Sequence, residues 1–187
     1  MPLEILDKIL LFHPVKEEAL SLAVAFNRTF AMSRLIPYID NCMDMASENG
    51  WAHVLEWCKN NDLEMTWSEK SMDSASMNGH IHVLNWWKQS ELELKWSGDA
   101  MDKASGYGHV SVLNWWKNDS GLKSKLRWTG YALENASREG RINVLDWWKQ
   151  SGLCLIWTSQ TLIEAKRNGH ELVLDWWAEL REEYGSA

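Results

Sequence analysis

The chain has 187 residues, of which 24% are charged and 45% hydrophobic, and its formal net charge is −7. This length suits one domain or a short array of repeats, and the acidic balance argues against general binding to nucleic acid. No apolar run reaches the roughly eighteen residues that a membrane-spanning helix needs, and the first ten residues lack the pattern of a secretory signal. We therefore expect a cytoplasmic protein, with the nucleus as the alternative, and no membrane or nucleic-acid partner.

The first forty residues differ in composition from the rest, because they contain every proline of the chain. They begin with apolar residues at helical spacing, which predict an amphipathic helix and are Leu3, Ile5, Leu6, Ile9 and Leu10. We predict a helical N-terminal segment over residues 1–40, which caps a second, proline-free region over residues 41–187.

The second region consists of internal repeats. A glycine recurs at intervals of 29, 29, 32 and 29 residues, at Gly50, Gly79, Gly108, Gly140 and Gly169. In the second repeat, Ala75-Ser76 precede the glycine and Trp86-Trp87 follow it, and the other repeats carry similar residues at most of these positions. A period of this length indicates a repeat architecture, and we predict repeats that start near residues 41, 68, 97, 129 and 158.

Each repeat is predicted to form two helices joined by the glycine turn. The first helix has an N-capping residue, which is Ser68, Ser97, Thr129 or Thr158 in the last four repeats. The glycine supplies the left-handed backbone that ends this helix. Because a pair of short helices cannot bury its own apolar face, neighbouring pairs must stack. The predicted fold is an all-α solenoid of about five stacked helix-turn-helix repeats, and we expect a monomer.

The chain contains fourteen tryptophans, and thirteen of them occupy three equivalent positions of the repeats. One opens a repeat, as Trp67 does, and two form a pair late in the second helix, as Trp86-Trp87 do. Aromatic residues in such a pattern are typical of a core, so we interpret them as packing between repeats, with indole N–H groups bonded to loop carbonyls or acidic residues. Trp51 lies outside the pattern, and stacking of a ligand on its ring is left as an alternative.

Two repeats depart from the common pattern. The third carries three extra residues, which we place in the loop over residues 120–126. The basic residues of this loop are interpreted as solvated, with contact to phosphate or to an acidic partner as the alternative, and are Lys117, Lys123, Lys125 and Arg127. In the fifth repeat, Glu171-Leu172 reverse the order of Ile81-His82, and we interpret this repeat as a C-terminal cap.

The glycine turns resemble those of ankyrin repeats. Residues 75–84 (ASMNGHIHVL) and 165–170 (AKRNGH) are similar to the A-A-x-x-G-H-x-x-V-V segment of that family, and Gly121 and Gly152 match the glycine after its second helix. The resemblance covers residues 41–184. The period of 29 replaces the family's roughly 33 residues, and both the T-P-L-H opening and the hairpin signature D-x-x-G are missing. The resemblance implies stacked helix pairs with plain loops instead of projecting hairpins.

The ankyrin resemblance also implies a binding surface. On such a stack, variable positions of the first helix line the concave face, where repeats bind their partners. These positions are Lys70, Ser74, Met77, Asp99, Lys103, Tyr107, Tyr131, Asn135, Arg138, Gln160, Glu164 and Arg167. We predict a non-enzymatic scaffold that binds a protein partner of unknown identity through them. An engineered or structural scaffold without a dedicated partner is an alternative.

The N-terminal segment resembles an F-box. The family's opening helix is similar to residues Pro2, Leu3, Ile5, Leu6, Ile9 and Leu10, and its second apolar segment is similar to Leu22, Val24, Phe26 and Phe30. The resemblance implies that the opening helix docks a Skp-type adaptor of a cullin ubiquitin ligase. A substrate receptor of such a ligase is therefore the alternative to a simple cap.

Acidic residues and histidines also recur once per repeat. The acidic set is Asp44, Asp73, Asp102 and Glu134, and the histidine set is His80, His109 and His170. Helices of adjacent repeats lie roughly 8–10 Å apart, so we expect these carboxylates to brace neighbouring backbone and the histidines to stabilise turns. Cys42, Cys58 and Cys154 show no metal-binding spacing and are interpreted as reduced thiols. We predict no catalytic residue, no metal and no cofactor.

Overall fold

The structure is a computed structural model that describes residues 3–11, 41–61 and 65–185, together with residues 16, 18, 21, 23, 31 and 35. The regular elements of these ranges are all helical, which confirms the predicted all-α class. The helices are α1 (Leu3–Leu11), α2 (Cys42–Glu48), α3 (Ala52–Asn60), α4 (Lys70–Met77), α5 (Ile81–Gln89), α6 (Asp99–Tyr107), α7 (Val110–Asn114), α8 (Tyr131–Arg138), α9 (Ile142–Ser151), α10 (Ser159–Arg167) and α11 (Glu171–Gly185). We number the pairs α2–α3, α4–α5, α6–α7, α8–α9 and α10–α11 as repeats one to five.

A glycine with left-handed backbone lies between the two helices of every repeat. The φ angles of these five glycines range from +67° at Gly140 to +83° at Gly108, which confirms the predicted turn. The next repeat adds a second requirement at this position. A Cβ atom on Gly140 would lie 2.8 Å from Nδ1 of His170, so the following repeat can approach the turn only where a side chain is missing.

The helix pairs pack in chain order. The first helices α2, α4, α6, α8 and α10 lie close to one another, whereas the second helices of neighbouring repeats are more widely separated. Small residues allow the close approach, since Ala75, Ala104 and Ala136 of the first helices are fully buried. Valine and leucine early in the second helix, such as Val83 and Leu84, fill the space between the two layers.

The second tryptophan of each pair links adjacent repeats. Its indole N–H donates to the serine hydroxyl in the first helix of the preceding repeat, over 2.9 Å in each of four junctions. The pairs are Trp87 with Ser47, Trp116 with Ser76, Trp148 with Ser105, and Trp177 with Ser137. Both partners are buried, so each bond satisfies a donor that water does not reach.

The other tryptophans reach different acceptors. The first tryptophan of each pair donates its indole N–H to a side chain of the preceding repeat, at the position just before that repeat's own pair. Trp115, for example, donates to Oδ1 of Asn85, which precedes Trp86, over 2.7 Å. The opening indoles of Trp67 and Trp128 donate to the loop carbonyls of Glu93 and Cys154. The expectation of carbonyl acceptors therefore holds for Trp67 and Trp128. Asp44, Asp73 and Asp102 accept hydrogen bonds from the next repeat's cap instead of from indoles.

The three extra residues of the third repeat divide between helix and loop. One is absorbed in a π-helical turn, Trp115–Asp119, where the N–H of Ser120 donates to the carbonyl of Trp115 five residues earlier. Ser120 thereby occupies the position equivalent to Ser90 of the second repeat and Ser151 of the fourth. Its hydroxyl donates to the carbonyl of Trp116 over 2.7 Å, as the hydroxyls of the other two serines do to Trp87 and Trp148. The other two residues enlarge the loop, which contains a 3₁₀ turn at Lys123–Lys125. The sequence-based placement of all three in the loop is therefore only partly correct.

The enlarged loop leaves one indole without an acceptor. Trp96 Nε1 is buried and has no hydrogen-bond partner among the described residues, whereas Trp67 and Trp128 bond the equivalent loops. The guanidinium of Arg127 lies over the Trp96 ring, 5.8 Å from its centroid. Arg127 therefore packs on the core through this ring, unlike a fully solvated loop residue.

The two ends of the stack differ. Leu10, Ala23, Ala31 and Leu35 are buried in the same core as the first repeat. The last repeat instead exposes large apolar side chains, with Leu172 73% and Ile163 53% exposed. Its surface therefore combines these apolar side chains with polar ones such as Lys166 and Glu171, and the reversed order at residues 171–172 places leucine in solvent.

The hydrogen bond between the buried indole and the serine of the preceding repeat should contribute measurably to the free energy of unfolding. We expect Ser76→Ala to lower the free energy of unfolding by about 1–3 kcal/mol, because it leaves the buried N–H of Trp116 without a partner. Urea unfolding measures this loss. The control is Glu56→Ala, which removes the acceptor of the exposed Trp86 bond and should lower the stability much less. Equal losses in the two variants would contradict the assignment.

The π-helical turn predicts that one residue of the third repeat is dispensable. Deleting Asn118, which is exposed, restores the spacing of the fourth repeat and should leave the melting temperature unchanged or raised. Deleting Gln89 in α5 is the matched control, because it displaces Ser90 from its bonds to Trp87 and Leu92 and should cost roughly 2 kcal/mol. Thermal unfolding followed by circular dichroism distinguishes the two, and a large loss on deletion of Asn118 would contradict the interpretation.

Candidate protein-binding groove

A carboxylate in each of the first three repeats holds the start of the next repeat. Asp73 accepts the backbone N–H of Ser97 over 3.0 Å and its hydroxyl over 2.6 Å, and Asp102 accepts the same two groups of Thr129 over 2.9 and 2.5 Å. Asp44 bonds Ser68 in the same way. The capping hydroxyls also accept the N–H two residues on, as Ser97 does from Asp99. These carboxylates thus position the first helices, which carry the candidate binding residues.

The last junction is built differently. The side chain of Glu134 forms no hydrogen bond with the described residues, and Thr158 instead shares a capping box with Thr161 inside its own helix. In the fifth repeat, Ile163 replaces the carboxylate and Lys166 replaces the serine that accepts an indole N–H. The outer face of this repeat therefore lacks both acceptors that the inner junctions use.

Burial controls the protonation of two of these carboxylates. Desolvation raises the pKa of Asp73 above its ordinary value, and the hydrogen bonds from Ser97 oppose the rise only in part. The pKa of Asp102 is raised for the same reason, against the bonds from Thr129. A carboxylate engaged in two or more hydrogen bonds to a cap is held in a structural role.

In the second, fourth and fifth repeats, the residue after the glycine turn braces the preceding repeat. His80 Nε2 lies 3.1 Å from the carbonyl oxygen of Glu48, and His170 Nε2 lies 2.9 Å from that of Arg138. In the fourth repeat an arginine takes this position, and Arg141 Nε donates to the carbonyl of Gly106 over 3.2 Å. The predicted turn-stabilising role holds for His80 and His170, whereas the His109 ring stacks on Tyr107 and makes no such hydrogen bond with the described residues. Arg141 performs the role with a charged side chain.

A groove of about 400 Å³ lies on the exposed side of α4, α6 and α8. Five of the residues predicted to bind a partner line it, and they are Met77, Lys103, Tyr107, Asn135 and Arg138. Gly106, Glu139 and Arg141 complete its wall. The structure therefore brings together part of the predicted surface, from three successive repeats.

Gly106 lines the groove and allows α8 to pack close to α6. It occupies the position two residues before the turn glycine, where the other repeats carry Glu48, Met77, Arg138 and Arg167. Its φ angle is not positive, so the backbone does not require glycine, and in a helix glycine costs about 0.8–1 kcal/mol relative to alanine. Packing requires it instead, because a Cβ atom there would lie 2.9 Å from Cβ of Asn135.

The charges in the groove are mostly cationic, and two of the three cations are paired. Lys103 lies 2.8 Å from Asp99 on its own helix, and Arg138 lies 3.1 Å from Glu139. Arg141 forms no ion pair with the described residues. Tyr107 is 58% exposed, and its ring stacks on His109 with a centroid distance of 6.4 Å. The Arg141 guanidinium, which has no ion-pair partner among the described residues, and the exposed ring of Tyr107 thus line the same groove.

The remaining predicted binding residues lie outside the groove. Lys70, Asp99, Tyr131, Gln160 and Arg167 are exposed, and Tyr131, at the start of α8, has 62% of its surface accessible. Glu164 is half-buried and accepts hydrogen bonds from Gln160 and Arg167 within α10. Apart from Glu164, these residues are exposed at positions along the first helices.

The proposed adaptor-docking residues fall largely outside the described part of the chain. Pro2 lies outside it, and so do Leu22, Val24, Phe26 and Phe30. The helix α1 contains Leu3, Ile5, Leu6, Ile9 and Leu10, and of their side chains only that of Leu10 is described. Leu10 is 1% exposed, so it contacts the protein core.

No group of His, Cys, Asp or Glu side chains in the described ranges is arranged to hold a metal ion. Cys42 and Cys58 are buried with their sulfur atoms 4.0 Å apart, and Cys154 is exposed. Among the helices that the structure describes, none combines the length and apolar character needed to cross a membrane.

Sequence reasoning missed three residues of the groove: Gly106, Glu139 and Arg141. Gly106 could have been found, because aligning the repeats on their turn glycines shows one glycine where the others have long side chains. Arg141 occupies the position of the recurring histidine, and its place in the groove depends on the packing of α8 against α6. No protein-family model, curated protein or solved structure matches this chain.

The raised pKa values predict an acid-dependent stability. In the folded state Asp73 and Asp102 take up protons at higher pH than in the unfolded state, whose pKa is near 3.8. Their contribution to stability is therefore smallest above the folded pKa and increases as the pH falls through it. We expect the free energy of unfolding of the wild type, relative to the Asp73→Asn/Asp102→Asn variant, to rise between pH 7 and about pH 4.

Urea titrations of both proteins across this range measure the difference. The subtraction removes the other titrating groups, which the two proteins share. A difference that is independent of pH, or one that falls with decreasing pH, would contradict the assignment of burial as the main cause.

Proposed function

We propose that this chain is an ankyrin-like α-solenoid that binds a protein partner through the exposed face of its first helices, without catalysing a reaction. The observation that carries the proposal is the groove over Gly106, with Tyr107 exposed on its wall and Met77 and Arg138 beside it. Tyrosine, methionine and arginine are enriched where protein partners bury their contacts. The stacking of first helices in chain order supports the solenoid assignment.

The recurring polar groups have structural explanations, which favours a binding protein over an enzyme. Asp44, Asp73 and Asp102 hold the caps of the following helices, and His80 and His170 brace the turns. These groups are therefore occupied within the fold. The groove itself presents cations, an amide and a phenol, a mixture that suits recognition of a protein surface.

The F-box-type receptor stays the second proposal for residues 1–40. Burial of Leu10 in the core shared with the first repeat favours a cap, because an adaptor-docking helix must keep its apolar residues accessible. A co-purification of a Skp-type adaptor with the full chain, lost on removal of residues 1–36, would support the receptor instead.

The binding face can be tested by charge reversal. We expect Arg138→Glu to reduce binding of the physiological partner at least about tenfold, since it inverts a charge in the groove. The melting temperature should not change, because this side chain is partly exposed and its ion pair among the described residues is with the adjacent Glu139. Quantitative capture from source-cell lysate, followed by titration of the captured partner, measures the effect. The control is Lys166→Glu, an exposed charge reversal on the last repeat outside the groove.

Two results would contradict this proposal. One is a partner that binds wild type and Arg138→Glu equally well, which would place the binding surface elsewhere. The other is equal loss in Arg138→Glu and Lys166→Glu, which would show a dependence on net charge alone.

A further inference from the structure

We propose that the groove over Gly106 binds an acidic linear segment of a protein partner, with a carboxylate of that segment bound by Arg141. This inference rests on the proposed function and deepens it, because it names the chemistry that the groove selects. It depends on three observations: the unpaired guanidinium, its fixed position, and the aromatic wall beside it.

The charge of the groove selects an anion. Three cations line it, and Glu139 is the one carboxylate in its wall. Lys103 and Arg138 are each neutralised by a neighbouring acid, so the attraction for an incoming carboxylate concentrates on Arg141. A positive groove on a chain with a net charge of −7 also attracts an acidic segment locally while the rest of the surface repels it.

Arg141 is held in place before any partner arrives. Its Nε donates to the carbonyl of Gly106, and its Cδ packs over Gly108, close to where a Cβ atom would stand. These contacts leave the terminal amino groups of the guanidinium without an ion-pair partner in the described part of the chain. A planar guanidinium can bind a carboxylate through two parallel hydrogen bonds, and restraining it beforehand lowers the entropy lost on binding.

The wall of the groove favours an apolar residue next to the carboxylate. The ring of Tyr107 is restrained by stacking on His109, and Met77 offers a flexible apolar surface beside it. A volume of about 400 Å³ accommodates a few side chains and not a folded domain. The occupant that fits is a segment in which an aspartate or glutamate lies near an aromatic or aliphatic residue.

The repeats provide a substitution that separates recognition from folding. Histidine occupies the Arg141 position in the second and fifth repeats, where it donates to the equivalent carbonyl and keeps the turn intact. Arg141→His therefore removes the guanidinium and retains the brace. We expect this variant to melt at the wild-type temperature.

The experiment uses the full chain and random twelve-residue peptides displayed on phage. Peptides are selected on the wild type, and the best is synthesised with a fluorescent label and titrated by anisotropy. We expect enrichment of aspartate or glutamate beside an aromatic or aliphatic residue, a loss of affinity of about tenfold or more in Arg141→His, and weaker binding at higher salt. Lys166→Gln removes an exposed cation outside the groove and should bind as the wild type does.

The outcomes distinguish this inference from the proposed function. Peptides that lose affinity on Tyr107→Ala but not on Arg141→His would overturn carboxylate recognition and leave the binding face standing. Peptides without acidic residues would overturn it too, as would a failure to select any peptide sensitive to Arg141→His. An equal loss in Lys166→Gln, or tighter binding of single-stranded RNA than of peptide, would show non-specific attraction and would also overturn it.

Discussion

The interaction on which this fold depends is the hydrogen bond between a buried indole N–H and a serine hydroxyl of the preceding repeat. It occurs at four successive junctions with the same length of 2.9 Å. Indole contributes a large apolar area, yet its single donor must be satisfied when it is buried. The serine meets this requirement from a helix that also packs through buried alanine. The tryptophan therefore determines both the separation of adjacent repeats and their relative position along the stack.

The helix pairs and the glycine turns could be predicted from sequence, because periodicity and the left-handed turn are local properties. Partner assignments between repeats could not. From the sequence, the acidic residues could accept hydrogen bonds from either indole or backbone N–H groups. The packed structure shows that Asp73 and Asp102 accept from the capping residues Ser97 and Thr129 of the next repeat. The π-helical turn was missed for a related reason. An insertion of three residues predicts a longer loop. In the structure one of the three residues lies in the π-helical turn instead, which preserves the hydrogen bond from Ser120 to the carbonyl of Trp116.

The groove illustrates how a repeat protein acquires an individual site. Most positions of each unit are constrained by the same junction contacts, so variation is confined to the exposed side of the first helix. In the third repeat, the buried Gly106 stands where the other repeats carry a long side chain, and it lines a depression that three repeats share. Part of this surface was predictable from variability among the repeats. The contribution of Arg141 was not, because it follows from how closely α8 approaches α6.

The last junction has a consequence for the order in which the molecule opens. In stacked repeats, stability is distributed between the units and their nearest-neighbour interfaces, so the weakest interface governs local opening. The fifth repeat caps its own helix instead of bonding Glu134, and it exposes Ile163 and Leu172. Its amide protons should therefore exchange with solvent before those of the inner repeats. The groove, which lies on the inner repeats, would then keep its shape while the C-terminal pair of helices frays.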